Sequence, residues 1–203
     1  MFPPSEPIEG KELILREAER LFSQRGYQAV SIRELAQACG MTKAALYYHF
    51  KDKEDLFYQM ATRQVERLAQ TLRERAIAAG DKPQAQLTAL AHAYAEHLKQ
   101  RQDTAHVYAE AFHKLGPQRA RALHEHFHRH MLGTVAAVIR AGQEAGVLRL
   151  VDPHVAAQAF LGAMSMLRFQ LFDGEFTPQQ VDQLVDIFLY GVIAMTREQK
   201  YES

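Results

Sequence analysis

Past residue 10, apolar residues recur at spacings of three and four, and no window alternates apolar with polar as a half-buried strand would. The pattern predicts an all-α chain of about nine helices. A first stripe of Ile14, Ala18, Leu21 and Phe22 stops at Arg25-Gly26, where glycine can adopt the left-handed conformation that closes a helix. Ser31-Ile32-Arg33-Glu34 is a capping box opening a second helix that reaches Cys39. Gly40 ends it, and Thr42 caps a short third helix reaching about Tyr48. Asp52 caps a long fourth helix with Leu56, Phe57, Met60, Leu68 and Leu72 turned inward, broken at Gly80-Asp81-Lys82-Pro83. Gln102-Asp103 and Gly116-Pro117 divide residues 84–146 into three helices. Asp152-Pro153 and Thr177-Pro178 each set an N-cap residue before a proline at the first helical position, and Gln180 completes a capping box with Thr177.

This organisation separates a flexible arm (1–10), a three-helix domain (11–53) and a larger helical domain (54–203). In the three-helix domain Ala36, Gly40 and Leu46 have the spacing that a helix-turn-helix requires. Ala36 is small enough for two helices to approach, Gly40 takes backbone angles a Cβ would strain, and Leu46 fills the angle between them. Ile32, Leu35 and Cys39 complete the buried side, which makes Cys39 an inert core thiol. Left outside are Thr42, Lys43, Ala44, Tyr47 and Tyr48, with His49 just beyond. The second helix of a helix-turn-helix enters the major groove by its N-terminal end. Lys43 and Ala44 are thus placed for base edges, and the tyrosine hydroxyls, His49 and Lys53 for phosphates. The competing possibility is an ordinary surface helix whose tyrosines pack against the fourth helix.

Charge changes this picture locally and not globally. The chain has 24 basic and 24 acidic residues, which excludes one that coats itself in nucleic acid or anionic lipid. Residues 20–53 nonetheless hold six basic residues against two acidic ones, a local balance of +4. With one cysteine there is no internal disulfide, no apolar stretch is long enough to span a bilayer, and the N-terminus lacks the features of a signal peptide. A cytoplasmic location is the expectation.

Residues 14–60 resemble the DNA-binding domain of the tetracycline-repressor (TetR) family of bacterial transcription regulators. The likeness rests on Gly26-Tyr27, on Ser31-Ile32-Arg33-Glu34-Leu35-Ala36, on Gly40, and on the unbroken run from Thr42-Lys43-Ala44 through Leu46-Tyr47-Tyr48-His49-Phe50 to Leu56. The resemblance implies a homodimer on a palindromic operator, acting as a repressor that a small ligand releases. It also implies DNA contacts from Lys43, Ala44, Tyr47, Tyr48, His49 and Lys53, joined by Ser31 and Arg33 on the second helix.

A rival reading comes from His124-Glu125-His126-Phe127-His128, which satisfies the His-Glu-x-x-His pattern of a metal-dependent hydrolase. Zinc proteases of that type need a third ligand and a strand-edged cleft. Alternate positions on a helix lie about 200° apart, so His124/His128 and His126/His130 face different sides and the four cannot share one ion. No metal, cofactor or catalytic residue is therefore expected, with a metal or pH-sensing role for one histidine pair as the lesser alternative.

The last two predicted helices carry broad apolar faces: Ala156, Phe160, Ala163, Leu167 and Leu171 on one, Val181, Leu184, Val185, Phe188, Val192 and Met195 on the other. Small residues at Ala159 and Gly162 would permit close packing of a second copy across a two-fold axis. Tyr94, Leu98, Tyr108, Phe112, Phe127, Met131, Met164 and Leu167 are candidates to line an adaptable cavity for a lipophilic effector. Lys99, Arg101, Lys114, Arg119 and Arg121 could meet the phosphates of an acyl-coenzyme A or form an ordinary solvated surface, so an acyl-CoA or fatty acid is one candidate ligand beside other lipophilic compounds.

Overall fold

The structure is a computed structural model and describes residues 10–100, 115–167 and 176–192. Among the described residues there are eight helices and no β-strand. They are α1 (Gly10–Arg25), α2 (Ile32–Ala38), α3 (Lys43–His49), α4 (Lys53–Ala78), α5 (Pro83–Gln100), α6, α7 (Pro153–Ser165) and α8 (Pro178–Val192). Helix α6 is continuous through three segments, α-helical over Pro117–Phe127, π-helical over His128–Leu132 and α-helical again over Gly133–Glu144. The sixth helix expected between Gln102 and Gly116 falls outside the described residues, as do most of the N-terminal arm, Leu171 and Met195. No helix among the described residues is long and apolar enough to cross a membrane.

The helix ends form where capping chemistry places them. Ser31 Oγ accepts from the Glu34 N–H at 3.2 Å while the Ser31 N–H donates to Glu34 Oε2 at 2.8 Å, closing the capping box. Thr42 Oγ1 accepts from the Ala45 N–H at 3.1 Å and Asp52 Oδ1 from the Asp55 N–H at 2.6 Å. Asp152 accepts from the N–H groups of His154 and Val155 behind Pro153, and Thr177 and Gln180 exchange bonds of 3.3 and 2.7 Å. Gly40 has φ +64°; beside it the Gly40 and Met41 N–H groups donate to the carbonyls of Gln37 and Ala36, which is a Schellman turn.

The chain divides into two compact units. Unit 1 comprises residues 1–64 and 103–125, and unit 2 comprises residues 65–102 and 126–203. Helices α4 and α6 therefore each contribute to both. Unit 1 has its own core, with Ile14, Phe22, Leu35, Leu46, Phe50, Leu56 and Phe57 at 0–1% exposure. Cys39 is buried in it, and burial pushes its thiol pKa up, in keeping with an inert thiol. Unit 2 closes around Leu72, Leu87, Leu90, Met131, Ile139, Phe160, Met164, Val181 and Val185. Within it α5 packs on α6, α7 and α8, and the Phe160 and Phe188 rings meet edge to face at 5.2 Å.

Candidate functional site

Unit 1 is organised around a turn. Ala36 and Leu46 are buried at 3% and 0%, so α2 and α3 meet through a small residue and a filled angle, with Gly40 between them. What α3 leaves outside is the expected set: Thr42, Lys43 and Ala44 are exposed, Tyr47 is 44% exposed and Tyr48 86% exposed. A surface helix whose tyrosines pack against the fourth helix does not describe Tyr48. The Lys43 ammonium sits 5.5 Å from the centre of the Tyr47 ring, a cation–π contact that holds both side chains over the first turn of α3. Ser31 and Arg33 are exposed at the start of α2, with the Ser31 hydroxyl already committed to its cap. Arg25 pairs with Glu34 at 2.8 Å. The Ser31 backbone N–H first, then the Ser31 hydroxyl and Arg25, lower the Glu34 carboxyl pKa to about 2.

Two residues sit otherwise than their spacing suggested. His49 is half-buried, its ring edge-on to Tyr48 at 5.2 Å; a Cβ at Gly10 would lie 3.3 Å from His49 Nε2, so the imidazole abuts the start of α1. Lys53 turns inward. Its ammonium lies 4.2 Å from the centre of the Tyr27 ring and 5.8 Å from that of Phe22, and it donates to the Gln28 carbonyl at 3.5 Å. Burial, reinforced by Glu54 and Asp52, pushes the Tyr27 phenol up to about 12. Phe22, Tyr27 and Phe57 form a ring cluster with spacings of 5.3 to 6.5 Å, and Lys53 covers it. The exposed cation after α3 is instead Lys51, whose backbone N–H donates to Asp55 at 3.0 Å.

The start of α6 is fastened to the start of α4 within unit 1. Arg119 donates to both Asp52 carboxylate oxygens at 2.9 and 3.3 Å and lies 3.3 Å from Glu54, which also accepts from the Gly116 N–H at 2.8 Å. Burial is the largest single influence on the Asp52 carboxyl and raises its pKa, but the hydrogen bond and charge of Arg119 together with the N–H groups of Asp55 and Glu54 outweigh it and hold the carboxyl below its usual range. Arg119 is thus committed to carboxylates, Arg121 to Glu125 at 2.8 Å, and Lys99 lies over the Phe176 ring at 4.8 Å. Arg101 and Lys114, the other cations expected to meet coenzyme A phosphates, lie outside the described residues.

In unit 2, Tyr94, Leu98, Met131, Met164 and Leu167 are buried side chains of the core, and Phe127 is half-buried against it. Tyr108 and Phe112 lie outside the described residues. Among the described residues the unit also has an open cleft of about 420 Å³ that none of these lines. Its walls include Arg73, Ile77, Gln86, Arg129, Thr134 and Val138. Arg73 donates to Thr134 Oγ1 at 3.3 Å and Thr134 to the His130 carbonyl at 2.8 Å, which fixes one cationic wall over an apolar floor.

The apolar faces of the last two helices resolve into an inside and an outside. Ala156, Phe160, Leu167, Val181 and Val185 are buried within the chain itself, and Leu184 and Phe188 are half-buried against the same core. The outside of α7 is Val155, Ala159, Gly162 and Met166, with Val155 60% and Met166 57% exposed; on α8 Ile187 is 70% and Tyr190 86% exposed. Nothing lies within 4 Å of a Cβ built on Gly162. Phe160 is therefore core, because it lies one helical position from the exposed stripe.

A two-helix turn with a polar face of lysine, small residues and tyrosines over a closed core defines a helix-turn-helix DNA-binding protein. Known families narrow the class. Residues 14–60 match the family described as bacterial regulatory proteins, tetR family, and residues 80–192 match the tetracyclin repressor-like C-terminal domain. The chain belongs to the tetR family of bacterial transcription regulators, and these are not enzymes. Consistent with that, Glu125 of the His-Glu-x-x-His pattern is an exposed residue paired to Arg121, and the pattern runs across the α–π junction of α6.

Similarity to individual proteins has the same distribution. The chain is 35% identical over 71 residues to the HTH-type transcriptional repressor AcnR of Corynebacterium efficiens, covering 35% of this chain and 38% of that one. It is 49% identical over 55 residues to the regulator AcrR of Shigella flexneri, covering 27% and 26%. The chain thus matches well under half the length of these curated relatives. Over the whole fold it superimposes on the flavonoid-responsive regulator FrrA with a TM-score of 0.73 at 25% identity, covering 92% of this chain and 98% of that one.

Proposed function

We propose that the chain is a ligand-responsive transcriptional repressor that binds a palindromic operator as a homodimer and is released by a lipophilic small molecule. The observation that carries the reading is the exposed face of Thr42, Lys43, Ala44, Tyr47 and Tyr48, displayed by a helix whose inner residue Leu46 is wholly buried. Lys43 and Ala44 read base edges; Thr42, Tyr47, Tyr48, Ser31 and Arg33 hold phosphates, and Lys51 adds a further cation. Lys53 and His49 act chiefly by bracing the helix, through Tyr27 and the start of α1. Such a protein works where the DNA is, in the cytoplasm.

Selection from random duplexes tests this directly: enrichment of a palindrome supports it, and enrichment of none overturns it. Lys43→Ala should relax sequence preference, costing about 1–3 kcal/mol on the preferred site, while Lys51→Ala should weaken all duplexes alike and reduce the salt slope by about 1.

The homodimer reading is supported by the outer stripe of α7 and α8. A charge at Gly162 or Ile187, where the side chain faces away from the chain's own core, should give a folded monomer without operator binding. A charge at Phe160 would instead break the fold. Sedimentation at micromolar concentration separates the two.

For the effector, the FrrA likeness favours a small lipophilic compound, and the Arg73–Arg129 wall of the cleft suits one that ends in an anion, as a fatty acid or acyl-CoA does. The cleft is the candidate place for it, and a ligand reaching the core residues Met131 and Met164 would have to open the packing around them. Release requires tighter binding to the form that does not fit the operator, and a preference of about 2–3 kcal/mol weakens the complex roughly 30- to 150-fold. Mobility shifts with long-chain acyl-CoAs, free fatty acids and flavonoids check this. Unchanged operator affinity with all three would remove ligand release from the account.

A further inference from the structure

We propose that Glu66, His126 and His130 form a binding site in unit 2 for a divalent transition-metal ion of the zinc class. None of the three is among the residues proposed to contact the operator.

The carrying observation is convergence from two helices. His126 and His130 project from α6, and Glu66 projects from α4. Each offers one ligand atom, and the three atoms all lie within 4.8 Å of one another. Glu66 Oε1 stands 3.2 Å from His126 Nε2, and the two imidazoles lie 4.3 Å apart at an interplanar angle of 35°. In tetrahedral coordination with bonds of about 2.0–2.2 Å, ligand atoms stand roughly 3.4 Å apart. One edge of that tetrahedron is already nearly formed, and ordinary side-chain rotation closes the rest.

The backbone provides a second observation. Between these histidines α6 leaves α-helical geometry for the π-helical turn His128–Leu132. Such turns are rare and concentrate at functional sites. This one begins two residues after His126 and contains His130, so the histidine pair straddles the departure from regular helix. The sequence argument that four alternating histidines cannot share one ion still holds. The third ligand is a carboxylate 60 residues earlier in the chain.

Donor chemistry selects the metal. Two imidazoles and one carboxylate suit zinc and its neighbours, whereas magnesium and calcium require oxygen-rich shells and soft monovalent ions require sulfur. Burial is graded: the His126 side chain is 16% exposed and that of Glu66 52%. An ion held by the half-buried histidines would reach solvent on the Glu66 side, leaving a position for water. Occupancy would tie α4 to α6 within unit 2.

The test uses tag-free, chelator-stripped full-length protein titrated with zinc(II) against a chromophoric indicator, with cobalt(II) absorption reporting tetrahedral coordination. One ion per chain is expected. His126→Ala and His130→Ala should each lower affinity by more than about 100-fold, beyond the loss typical of an outer-shell partner, and Glu66→Gln should weaken it less. His124→Ala and His128→Ala should change nothing. His130→Gln, which keeps a polar side chain of similar size, guards against misfolding, and metal-free unfolding midpoints of all variants verify it. Absence of zinc binding, binding that survives both His126→Ala and His130→Ala, or binding that follows His124 and His128 would each overturn the proposal.

Discussion

The two units complete themselves in different ways. In unit 1 the two helices of the turn, α2 and α3, have seven residues each, each turn is closed by a named cap or glycine, and three aromatic rings under Lys53 seal the core. What it shows to solvent on α3 is polar or amphipathic. In unit 2 the core is filled, yet Val155, Met166, Ile187 and Tyr190 stand in solvent and a cleft stays open. Unit 1 is finished as a single chain and offers chemistry to a charged polymer. Unit 2 keeps apolar surface uncovered, as a region that meets a further partner does, in keeping with the proposed second copy and small molecule.

The contrast can be broken most severely by hollowing each core. Phe22→Ala in unit 1 and Phe160→Ala in unit 2 should each cost about 3–5 kcal/mol in denaturant unfolding, because both rings are 0–1% exposed. A Phe160→Ala variant that kept its stability and lost only self-association would move Phe160 to the interface. Glycines sharpen the comparison inside unit 2. A Cβ on Gly142 would stand 2.6 Å from Leu148 Cδ1 and 3.0 Å from Pro83 Cβ, so Gly142→Ala should destabilise by about 1–3 kcal/mol. Gly162→Ala meets open space within the chain and should raise monomer stability by up to about 1 kcal/mol through helix propensity while weakening self-association. Thermal unfolding paired with sedimentation separates the two glycines.

Smaller effects belong to unit 1. Ser31→Ala removes the cap of α2 and should cost about 1 kcal/mol. The Glu34 carboxyl is lowered from 4.5 to about 2, so it stays ionised in the folded chain where the unfolded chain has already taken up a proton. Its stabilisation is complete above about pH 4.5 and is lost as the pH falls towards 2. Acid titration of Glu34→Gln should lack that component; an identical acid profile for both proteins would show that the box adds nothing.

Unit 1 was legible because its signals are local. A capping box needs two residues three apart, and a Schellman turn needs a glycine at one position, so Ser31, Glu34, Gly40 and Thr42 announce their structure within a few residues. For Lys53 and His49 the local reading did not show their neighbours Tyr27 and Gly10, which are distant in sequence. In unit 2 the apolar positions of α7 were visible, but a helix apolar on most sides does not tell which side meets its own chain. Phe160 and Gly162, two residues apart, went to opposite environments. No residue type marks a π-helical turn, and nothing near His126 points to Glu66. The cleft is set by Arg73 and Arg129 on different helices, and only tertiary packing brings them together.

Helix α4 has 26 residues. At 1.5 Å per residue it is a rod of about 39 Å that begins four residues after the recognition helix α3 ends. A rod of that length is a lever: turning it by 5° about one end displaces the other by roughly 3 Å, the span of a hydrogen bond. The amplification comes from length alone, and proline at an exposed mid-helix position such as Arg67 would abolish it by hinging the rod.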